Sequence, residues 1–286
     1  MRVIDQPVRT YGSITLGAGP QVQNSTVLPN YGAVAGFWLD MTVALTGATA
    51  SKTSNTIDNV INTFEIDDQF GKAIVVALGT DLSILNDILT PRGVRQAAPA
   101  VTTSGGGAGS AEWYLFLPIT IGSGDMPGQL KLTFAAASAL QNANLTSAGT
   151  ALVTLVVRAA YPVGEDRPTL RITMANPPHQ QGDNAFGPYL PGGFQMEALA
   201  FVLTGGDGDF GYLTALIGGA SFATLAPLLD FTANDVMLMQ SGHLSGEFIC
   251  RFPVFVVDNT TIFTVNLSTD TAVRLYSIAT VPQKRQ

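Results

Sequence analysis

The chain has 286 residues, of which 46% are apolar and 12% are charged, and its formal net charge is −7. The length favours two domains over one, and the absence of a Lys/Arg-rich run argues against a dedicated nucleic-acid surface. The single cysteine, Cys250, excludes an intrachain disulfide, and no segment reaches the roughly 20 apolar residues of a membrane-spanning helix. The first residues lack the apolar stretch of a signal peptide, so we expect folding in the cytosol.

The first half of the chain is predicted to consist mainly of β-strands. Residues 1–11 show no periodic pattern and are interpreted as a tail, followed by a strand at Ser13–Leu16. Turn-forming residues indicate a long loop over Gly17–Ala33, and an apolar run predicts a strand over Gly36–Leu45. Five further strands are predicted, at Ile57–Asp67, Lys72–Leu78, Glu112–Ile121, Gln129–Phe134 and Thr150–Tyr161.

A short helix is predicted in each half of the chain. At Thr80–Leu89, leucines recur at helical spacing after Asp81, which can cap the helix. The next segment, Thr90–Ser110, contains a glycine run and is expected to be a loop. In the second half, Thr224 can cap a helix with Pro227 in its first turn, where a missing N–H costs nothing.

The two halves of the sequence repeat each other. With an offset of 158 positions, Ile14–Gly47 aligns with Ile172–Gly205, and the identical residues lie at a strand, a loop and the end of a second strand. With an offset of 135 positions, Glu112–Ile119 aligns with Glu247–Val254. The smaller offset implies an insertion of about 23 residues in the first half, which we assign to Thr90–Ser110.

In the strands of the second alignment, apolar residues occupy every second position, which predicts one buried face. That face is expected to hold Trp113, Leu115, Leu117, Ile119 and Ile121 in the first half, and Phe248, Cys250, Phe252, Val254 and Val256 in the second. Pro118 and Pro253 fall on the opposite face, so each strand should bulge there or lie at a sheet edge. Because Cys250 is placed on the buried face, its thiol should resist reagents until the protein unfolds.

These patterns predict an all-β protein of two tandem eight-stranded antiparallel jelly rolls, each with a short helix. Eight antiparallel strands with long crossing loops favour this fold over a meander. The expected boundaries are residues 1–11 for an N-terminal tail, 12–161 for the first jelly roll, 162–168 for a linker, 169–281 for the second jelly roll and 282–286 for a C-terminal tail. The last two strands are expected at Ile262–Leu267 and Ala272–Val281.

No pattern indicates a catalytic or cofactor site. The two histidines, His179 and His243, are expected in loops, and the surroundings of Ser245 do not match the nucleophile elbow of a Ser/His/Asp enzyme. The glycine run Gly105–Gly109 lacks the Lys-Ser/Thr of a phosphate-binding loop and does not lead from a strand into a helix. We therefore predict no catalytic residue and no cofactor.

Two acidic clusters could in principle supply oxygen ligands to calcium. Glu65, Asp67 and Asp68 precede a predicted turn, and Asp207 and Asp209 lie in a glycine-rich segment. Their spacing does not fit an EF-hand loop, so we interpret both clusters as solvated turns and predict no metal site.

Trp38 and Trp113, which a lectin could stack against a sugar, lie within predicted strands. We therefore assign both tryptophans to the core.

Two such units in tandem, with a matching helix and a Glu-x5-Pro strand in each, resemble the double jelly-roll major capsid proteins of tailless icosahedral viruses. The matching strands begin at Glu112 and Glu247 and contain Pro118 and Pro253. This group includes membrane-containing bacteriophages and adenovirus hexons, and the resemblance covers nearly the whole chain. It implies a structural protein without catalytic residues, whose homotrimers have a pseudo-hexagonal outline and tile an icosahedral virion shell.

The resemblance also implies partners and a location. The expected partners are two further copies of the chain, neighbouring capsomers, vertex and minor capsid proteins and an internal lipid membrane, without sequence-specific contact to nucleic acid. The expected location is the virion capsid, after assembly in the host cytoplasm. One alternative is a two-domain β-sandwich carbohydrate-binding or adhesin module. A cupin-type enzyme is a third, disfavoured because cupins need histidine-rich metal sites.

In the resembled proteins the chain ends face the inside of the shell. Arg2, Arg9, Lys284 and Arg285 lie outside the predicted strands and are expected to face an anionic membrane surface there. The other interpretation is that both tails are simply solvated.

Overall fold

A computed structural model of the chain describes residues 3–15, 21–28, 31–46, 52–90, 98–103, 108–125, 127–134, 150–164, 166–204, 209–217, 220–225 and 247–281. In these residues the chain forms eighteen β-strands and one α-helix, so the prediction of an all-β fold is confirmed. The chain divides into two compact units, and the main boundary between them lies between Arg167 and Pro168. None of the described helices has the length and apolar character needed to cross a bilayer.

The described part of the first unit contains ten strands. They are β1 (Val3–Thr15), β2 (Gln21–Val27), β3 (Gly36–Thr46), β4 (Lys52–Thr56), β5 (Ile61–Asp68), β6 (Ala73–Leu78), β7 (Ala100–Thr103), β8 (Gly109–Leu117), β9 (Pro127–Phe134) and β10 (Thr150–Pro162). Four strands pair in the order β1–β10–β3–β8, and four pair in the order β6–β5–β9–β2. Strands β4 and β7 pair with each other inside the segments that connect the main strands.

The described part of the second unit contains eight strands. They are β11 (Leu170–Ala175), β12 (Gly182–Phe186), β13 (Gln195–Leu203), β14 (Phe210–Ile217), β15 (Ala220–Leu225), β16 (Glu247–Val256), β17 (Ile262–Leu267) and β18 (Val273–Thr280). They pair in the orders β16–β13–β18–β11 and β12–β17–β14–β15.

The two units share one antiparallel topology. With β4 and β7 set aside, the first strand of each unit pairs with the last, the last with the third and the third with the sixth. The second strand pairs with the seventh, the seventh with the fourth and the fourth with the fifth. This is the pattern of a jelly roll. The offset of 158 aligns β1 with β11 and β3 with β13, and the offset of 135 aligns β8 with β16, so both alignments join topologically equivalent strands.

In each unit the two layers of strands face each other across an apolar core. In the first, the rings of Phe37 on β3 and Phe64 on β5 meet edge to face with centroids 6.5 Å apart. In the second, the ring of Phe201 on β13 lies 6.0 Å from that of Phe186 on β12 and 5.6 Å from that of Phe210 on β14. Each such buried ring stabilises the fold by about 1.5–3 kcal/mol.

The predicted helix of the first unit is confirmed as α1, Leu82–Leu89, preceded by a short 3-10 turn at Gly79–Asp81. Asn86 donates a side-chain hydrogen bond to the carbonyl of Phe116, which ties α1 to β8. The predicted helix of the second unit is wrong at its start, because Thr224 lies in β15. Residues 226–246, which include the rest of that prediction, lie outside the described residues.

The assignment of residues 1–11 to a tail is wrong, because β1 begins at Val3 and pairs with β10 along its length. The register of this pair shifts between Pro7 and Arg9 and again between Tyr11 and Ile14. Each shift breaks the two-residue alternation by which a strand is recognised in a sequence. Strand β1 therefore lacks the alternating pattern from which it could have been predicted.

The predicted loop Gly17–Ala33 also contains a strand, β2, at Gln21–Val27. Its pairing with β9 shifts register between Gln23 and Thr26, and among the described strands β2 stands at the end of its pairing order. Turn-forming residues are tolerated at such an irregular edge. A smaller correction is that Ile57–Val60 forms a 3-10 turn before β5.

The two prolines lie where a strand can accommodate them. β8 and β16 are each at the end of their pairing order, and β8 ends at Leu117, directly before Pro118. Pro253 lies within an irregular stretch of β16, since Met196 pairs with Phe255 but Ala198 pairs with Arg251. The expectation of an edge position or a bulge is confirmed for both.

Candidate interaction surfaces

The histidines form no catalytic arrangement in the described residues. His179 is exposed, and its Nδ1 lies 3.2 Å from Oδ1 of Asp270, which is also exposed. His243 and Ser245 lie outside the described residues, as do residues 104–107 of the glycine run. In the part of the chain that the structure describes, no group of three or more His, Cys, Asp or Glu side chains could hold a metal ion.

The acidic cluster before the β5–β6 turn has a structural role. Oδ1 of Asp68 accepts hydrogen bonds from the backbone N–H groups of Phe70 and Lys72, at 2.8 and 2.9 Å. The Lys131 ammonium contacts Asp67 and lies 3.0 Å from Oε1 of Glu65. Its hydrogen bonds to Asp67 and Glu65 raise the pKa of Lys131, so a lysine cation already occupies the place that a calcium ion would take.

The second acidic cluster is only partly described. Asp209 is buried and accepts a hydrogen bond from Oγ1 of Thr269 at 2.6 Å, which stabilises the start of β14. Asp207 lies outside the described residues.

The two tryptophans differ in their environment. Trp113 is buried, as predicted, but Trp38 is 38% exposed, so its assignment to the core is wrong. Phe37 and Leu39 on either side of Trp38 point into the core, and strand alternation therefore turns Trp38 outward. The ring of Phe116, which pairs with Trp38 across β3 and β8, lies 4.5 Å from its centroid.

Trp38, Phe116 and Tyr114 form a patch on the outer face of β3 and β8, hereafter the aromatic patch. Tyr114 is exposed and pairs with Asp40, which lies two residues after Trp38 on β3. The Tyr114 hydroxyl donates to Oε2 of Glu112 at 3.2 Å. The negative charges of Glu112 and Asp40 raise the pKa of Tyr114, so the hydroxyl remains a protonated donor. The patch is apolar at its centre and acidic at its border.

A polar network lies on the exposed face of β12, β14 and β17. Oδ1 of Asp183 accepts hydrogen bonds from Nδ2 of Asn266 and from the Tyr212 hydroxyl, both at 2.7 Å. These bonds, led by that of Asn266, lower the pKa of Asp183. The three residues are separated in the sequence, so no local motif could have predicted that they meet.

Another network anchors the end of the first unit. The carboxylate of Asp166 accepts hydrogen bonds from the N–H of Ser123 at 2.9 Å and from its hydroxyl at 2.8 Å. These bonds lower the pKa of Asp166. They join the segment before β9 to the residues that lead into the second unit.

Of the four basic residues assigned to membrane-facing tails, only Arg9 lies in the described residues. It is part of β1 and pairs with Val157, so its assignment to a tail is wrong. Arg2, Lys284 and Arg285 lie outside the described residues.

Comparison with known proteins gives matches at the level of structure. No family model and no curated protein matches this sequence. The chain is similar to the STIV MCP of Sulfolobus turreted icosahedral virus, with 10% identity over 98% of this chain and 97% of that one, at a TM-score of 0.67.

Two further solved structures resemble the chain over most of its length. A quasi-atomic model of the PBCV-1 virus capsid matches 98% of this chain and 94% of that one, with 10% identity and a TM-score of 0.61. The major capsid protein P2 from bacteriophage PM2 matches 99% of both chains, with 13% identity and a TM-score of 0.51. The resemblance to double jelly-roll capsid proteins is therefore confirmed at the level of the fold, and this chain has the double jelly-roll fold.

Proposed function

We propose that the protein is a structural major capsid protein whose homotrimers tile an icosahedral virion shell. The observation that carries the proposal is the structural match over 98% of this chain and 97% of the STIV MCP. A single shared jelly roll would be weak support, because that fold serves many functions. Two jelly rolls in tandem, matched over almost the whole of both chains, are a much more specific architecture than a single jelly roll.

The repeated unit explains how such a protein would tile a surface. Three chains with two equivalent units each present six similar edges, so a trimer has a nearly hexagonal outline and packs in a near-hexagonal lattice. Subunits in such a lattice need broad contact surfaces. With 12% charged residues, the chain offers more uncharged surface than an ordinary soluble domain, in which about 25% are charged.

The aromatic patch is the surface that we assign to contact between copies. Trp and Tyr are enriched at the centres of protein interfaces because a large ring buries much apolar area while its polar atom keeps a partner. Trp38 and Tyr114 fit this description, and both are exposed in the single chain. Asp40 and Glu112 would form part of a polar rim around the contact.

The remaining elements of the proposal follow from the same role. The protein would be located in the virion capsid after assembly in the host cytoplasm, and it would act without catalysis. Its partners would be neighbouring capsomers, vertex and minor capsid proteins and an internal membrane. Arg2, Lys284 and Arg285 would lie against that membrane, each contributing about 1 kcal/mol of electrostatic attraction to an anionic surface.

Light scattering and negative-stain microscopy of the purified chain test the proposal. We expect a homotrimer with a hexagonal outline at micromolar concentration. The exposed Trp38 favours the alternative, a carbohydrate-binding or adhesin module, because such modules stack sugars against exposed rings. A strictly monomeric protein that binds glycans through Trp38 would replace our proposal with that alternative.

A further inference from the structure

Exposed apolar side chains are concentrated at one end of the first unit. Val27 at the end of β2 is 71% exposed, Tyr31 in the β2–β3 connection 67%, Phe70 in the β5–β6 turn 84% and Val163 after β10 50%. Large apolar side chains at this level of exposure are costly in water, and a monomeric soluble protein rarely groups them. These four residues are hereafter the apolar end of the first unit.

The backbone places the four residues around one rim. The N–H of Leu28, next to Val27, donates to the carbonyl of Gly128, and a side chain on Gly128 would overlap the carbonyl of Asp68 at the base of the Phe70 turn. The rim continues through Ser123, which donates to Asp166 near Val163.

Tyr31 joins the rim from its other side. Its ring meets that of Tyr161 edge to face, with centroids 5.3 Å apart, and Tyr161 lies two residues before Val163.

The same end of the second unit repeats this character. Tyr189 lies in the β12–β13 connection, equivalent to Tyr31 at the offset of 158, while Val256 ends β16 and Ile262 begins β17. They are the exposed large apolar residues among the described side chains of this unit. Tyr189 has a φ of 53°, a left-handed conformation that is uncommon outside glycine, and its ring stacks on Phe186 with centroids 6.2 Å apart. The fold therefore holds this ring outward at some cost.

Val256, at this end of the second unit, is exposed although the sequence predicts that it is buried. The alternation of β16 predicts Val256 on the buried face, but the irregular pairing beside Pro253 turns Phe255 towards the core instead. Val256 is 55% exposed as a result.

The backbone of the Phe70 turn is held by hydrogen bonds and presents one exposed apolar side chain. Its shape is fixed by the two hydrogen bonds to Oδ1 of Asp68, and Gly71 adopts a left-handed φ of 76° that permits the tight reversal. Lys72, directly after the turn, is exposed and cationic. A fixed apolar tip followed by a lysine is suited to insertion between lipid headgroups, because the ring enters the acyl region while the ammonium stays at the phosphates.

The alternative occupant of this end, a second copy of the chain, fits less well. From the usual areas of such side chains, the four exposed groups of the first unit present roughly 500 Å². A stable protein–protein contact buries about 800 Å² per partner, in a continuous and complementary surface. Here the groups are separate tips on three connections and one strand end. A fluid bilayer accepts separate tips without a complementary shape, and tyrosine is enriched at the bilayer–water interface.

We propose that the apolar end of the first unit is a lipid-contacting surface that inserts Phe70 and Tyr31 into the headgroup layer of a bilayer. This inference rests on the proposed capsid function and identifies the part of the chain that faces an internal membrane. The attraction is apolar, because the exposed charges near Phe70 and Val163 include Lys72 but also Asp125 and Asp166, and the described residues form no positive patch there. Binding therefore does not require anionic lipid.

Flotation of the purified full chain with phosphatidylcholine vesicles tests the inference. We expect the wild-type protein to float with the vesicles, and raising the salt from about 0.1 to about 0.5 M to leave the bound fraction unchanged, because the Debye length falls while apolar burial does not. Phe70→Ser and Val27→Ser should each lower the partition coefficient, by about tenfold for Phe70, since a buried phenyl ring is lost. Gln69→Ser in the same turn and Leu152→Ser on the outer face of β10 are controls that should bind normally.

The possible results separate this inference from the proposed function. Trimers that form normally but do not float would overturn the lipid surface and leave the capsid proposal intact. A monomeric chain that floats in a Phe70-dependent way would support the lipid surface and overturn the capsid proposal. Binding that disappears at high salt would indicate an electrostatic tether at this end of the molecule. A Phe70→Ser variant that loses subunit contacts but floats normally would assign this end to contact with a second copy. Either result would overturn the inference.

Discussion

At the scale of single residues, Asp68 determines the geometry of the β5–β6 turn. Because its Oδ1 accepts two backbone hydrogen bonds, we expect Asp68→Ala to destabilise the protein by about 1–2 kcal/mol. Asp68→Asn keeps the acceptor oxygen and should cost less than half as much. Urea denaturation of both variants measures the difference. Equal losses for the two substitutions would show that charge, rather than the pair of hydrogen bonds, is the stabilising feature.

Cys250 is expected to be unreactive in the native protein. It pairs with Leu199, which is fully buried in the core of the second unit. Its thiol should therefore react with a maleimide at least a hundredfold more slowly in the native protein than in the denatured protein. Mass spectrometry of labelled protein over time measures both rates. Rapid native labelling would place Cys250 on the other face of β16.

Residue environments could be predicted where strands alternate regularly and not where they bulge. The alternation in β8 correctly predicts that Trp113, Leu115 and Leu117 are buried. In β3, Trp38 belongs to the outward set, but a run that is apolar at successive positions does not show which set faces out. For Val256 the error comes from the bulge near Pro253, which changes the alternation and can be located only from the pairing partner.

At the scale of elements, Gly79 controls how the turn before α1 packs against β5. A methyl group on Gly79 would overlap the carbonyl of Ile61, whereas one on Gly124 would meet no atom within 4 Å. We expect Gly79→Ala to destabilise the protein by about 3 kcal/mol, because backbone rather than a movable side chain must shift. Gly124→Ala is the matched control and should be neutral. Thermal unfolding of the two variants measures this difference. A Gly79→Ala variant as stable as the wild type would show that the backbone at Ile61 can move at little energetic cost.

The boundaries of strands and helices could be predicted where the turn-forming residues and the apolar pattern indicate the same position. Strand β17 lies at its predicted bounds, and α1 lies within its predicted range. β1 and β2 were missed because register shifts place polar residues and turn formers inside paired strands. What stabilises these strands is hydrogen bonding to β10 and β9, which are more than a hundred residues away, and no local window contains that information.

At the scale of the whole molecule, the Asp166 network predicts a dependence of stability on pH. Hydrogen bonds from Ser123 hold the pKa of Asp166 below its ordinary value, so its contribution is complete above about pH 4 and is lost as the pH falls through the folded pKa. Asp166→Asn cannot titrate. It should be less stable than the wild type at about pH 7, by a small margin because the site is exposed, and equally stable near pH 2. A stability difference that is the same at both pH values would contradict this assignment.

The two-unit architecture could be predicted because the sequence of the first unit is partly repeated in the second. An offset of 158 positions aligns strands that prove to be the first and third of each unit, and this agreement between distant segments is stronger than any single strand assignment. The candidate surfaces could not be predicted, because the aromatic patch and the Asp183 network bring together residues from two or three strands that are distant in the sequence. They arise from strand order, which the sequence pattern does not specify.

The aromatic patch is expected to determine how copies of the chain assemble. If Trp38 and Tyr114 lie at the contact between copies, truncating Trp38 removes a large ring from a desolvated interface, which typically costs at least 2 kcal/mol. Trp38→Ser should therefore raise the concentration at which trimers dissociate by at least about thirtyfold, and Tyr114→Ser should act in the same direction. Both side chains are on the outer face, so the isolated chain should still fold, although Trp38→Ser should lower its unfolding temperature because the packing on Phe116 is lost. Sedimentation velocity over a dilution series measures the dissociation, with Phe70→Ser as a matched variant that exposes less apolar surface but should leave the trimer intact. If the Trp38 variant dissociated at the wild-type concentration, the contact between copies would have to use another face of the molecule.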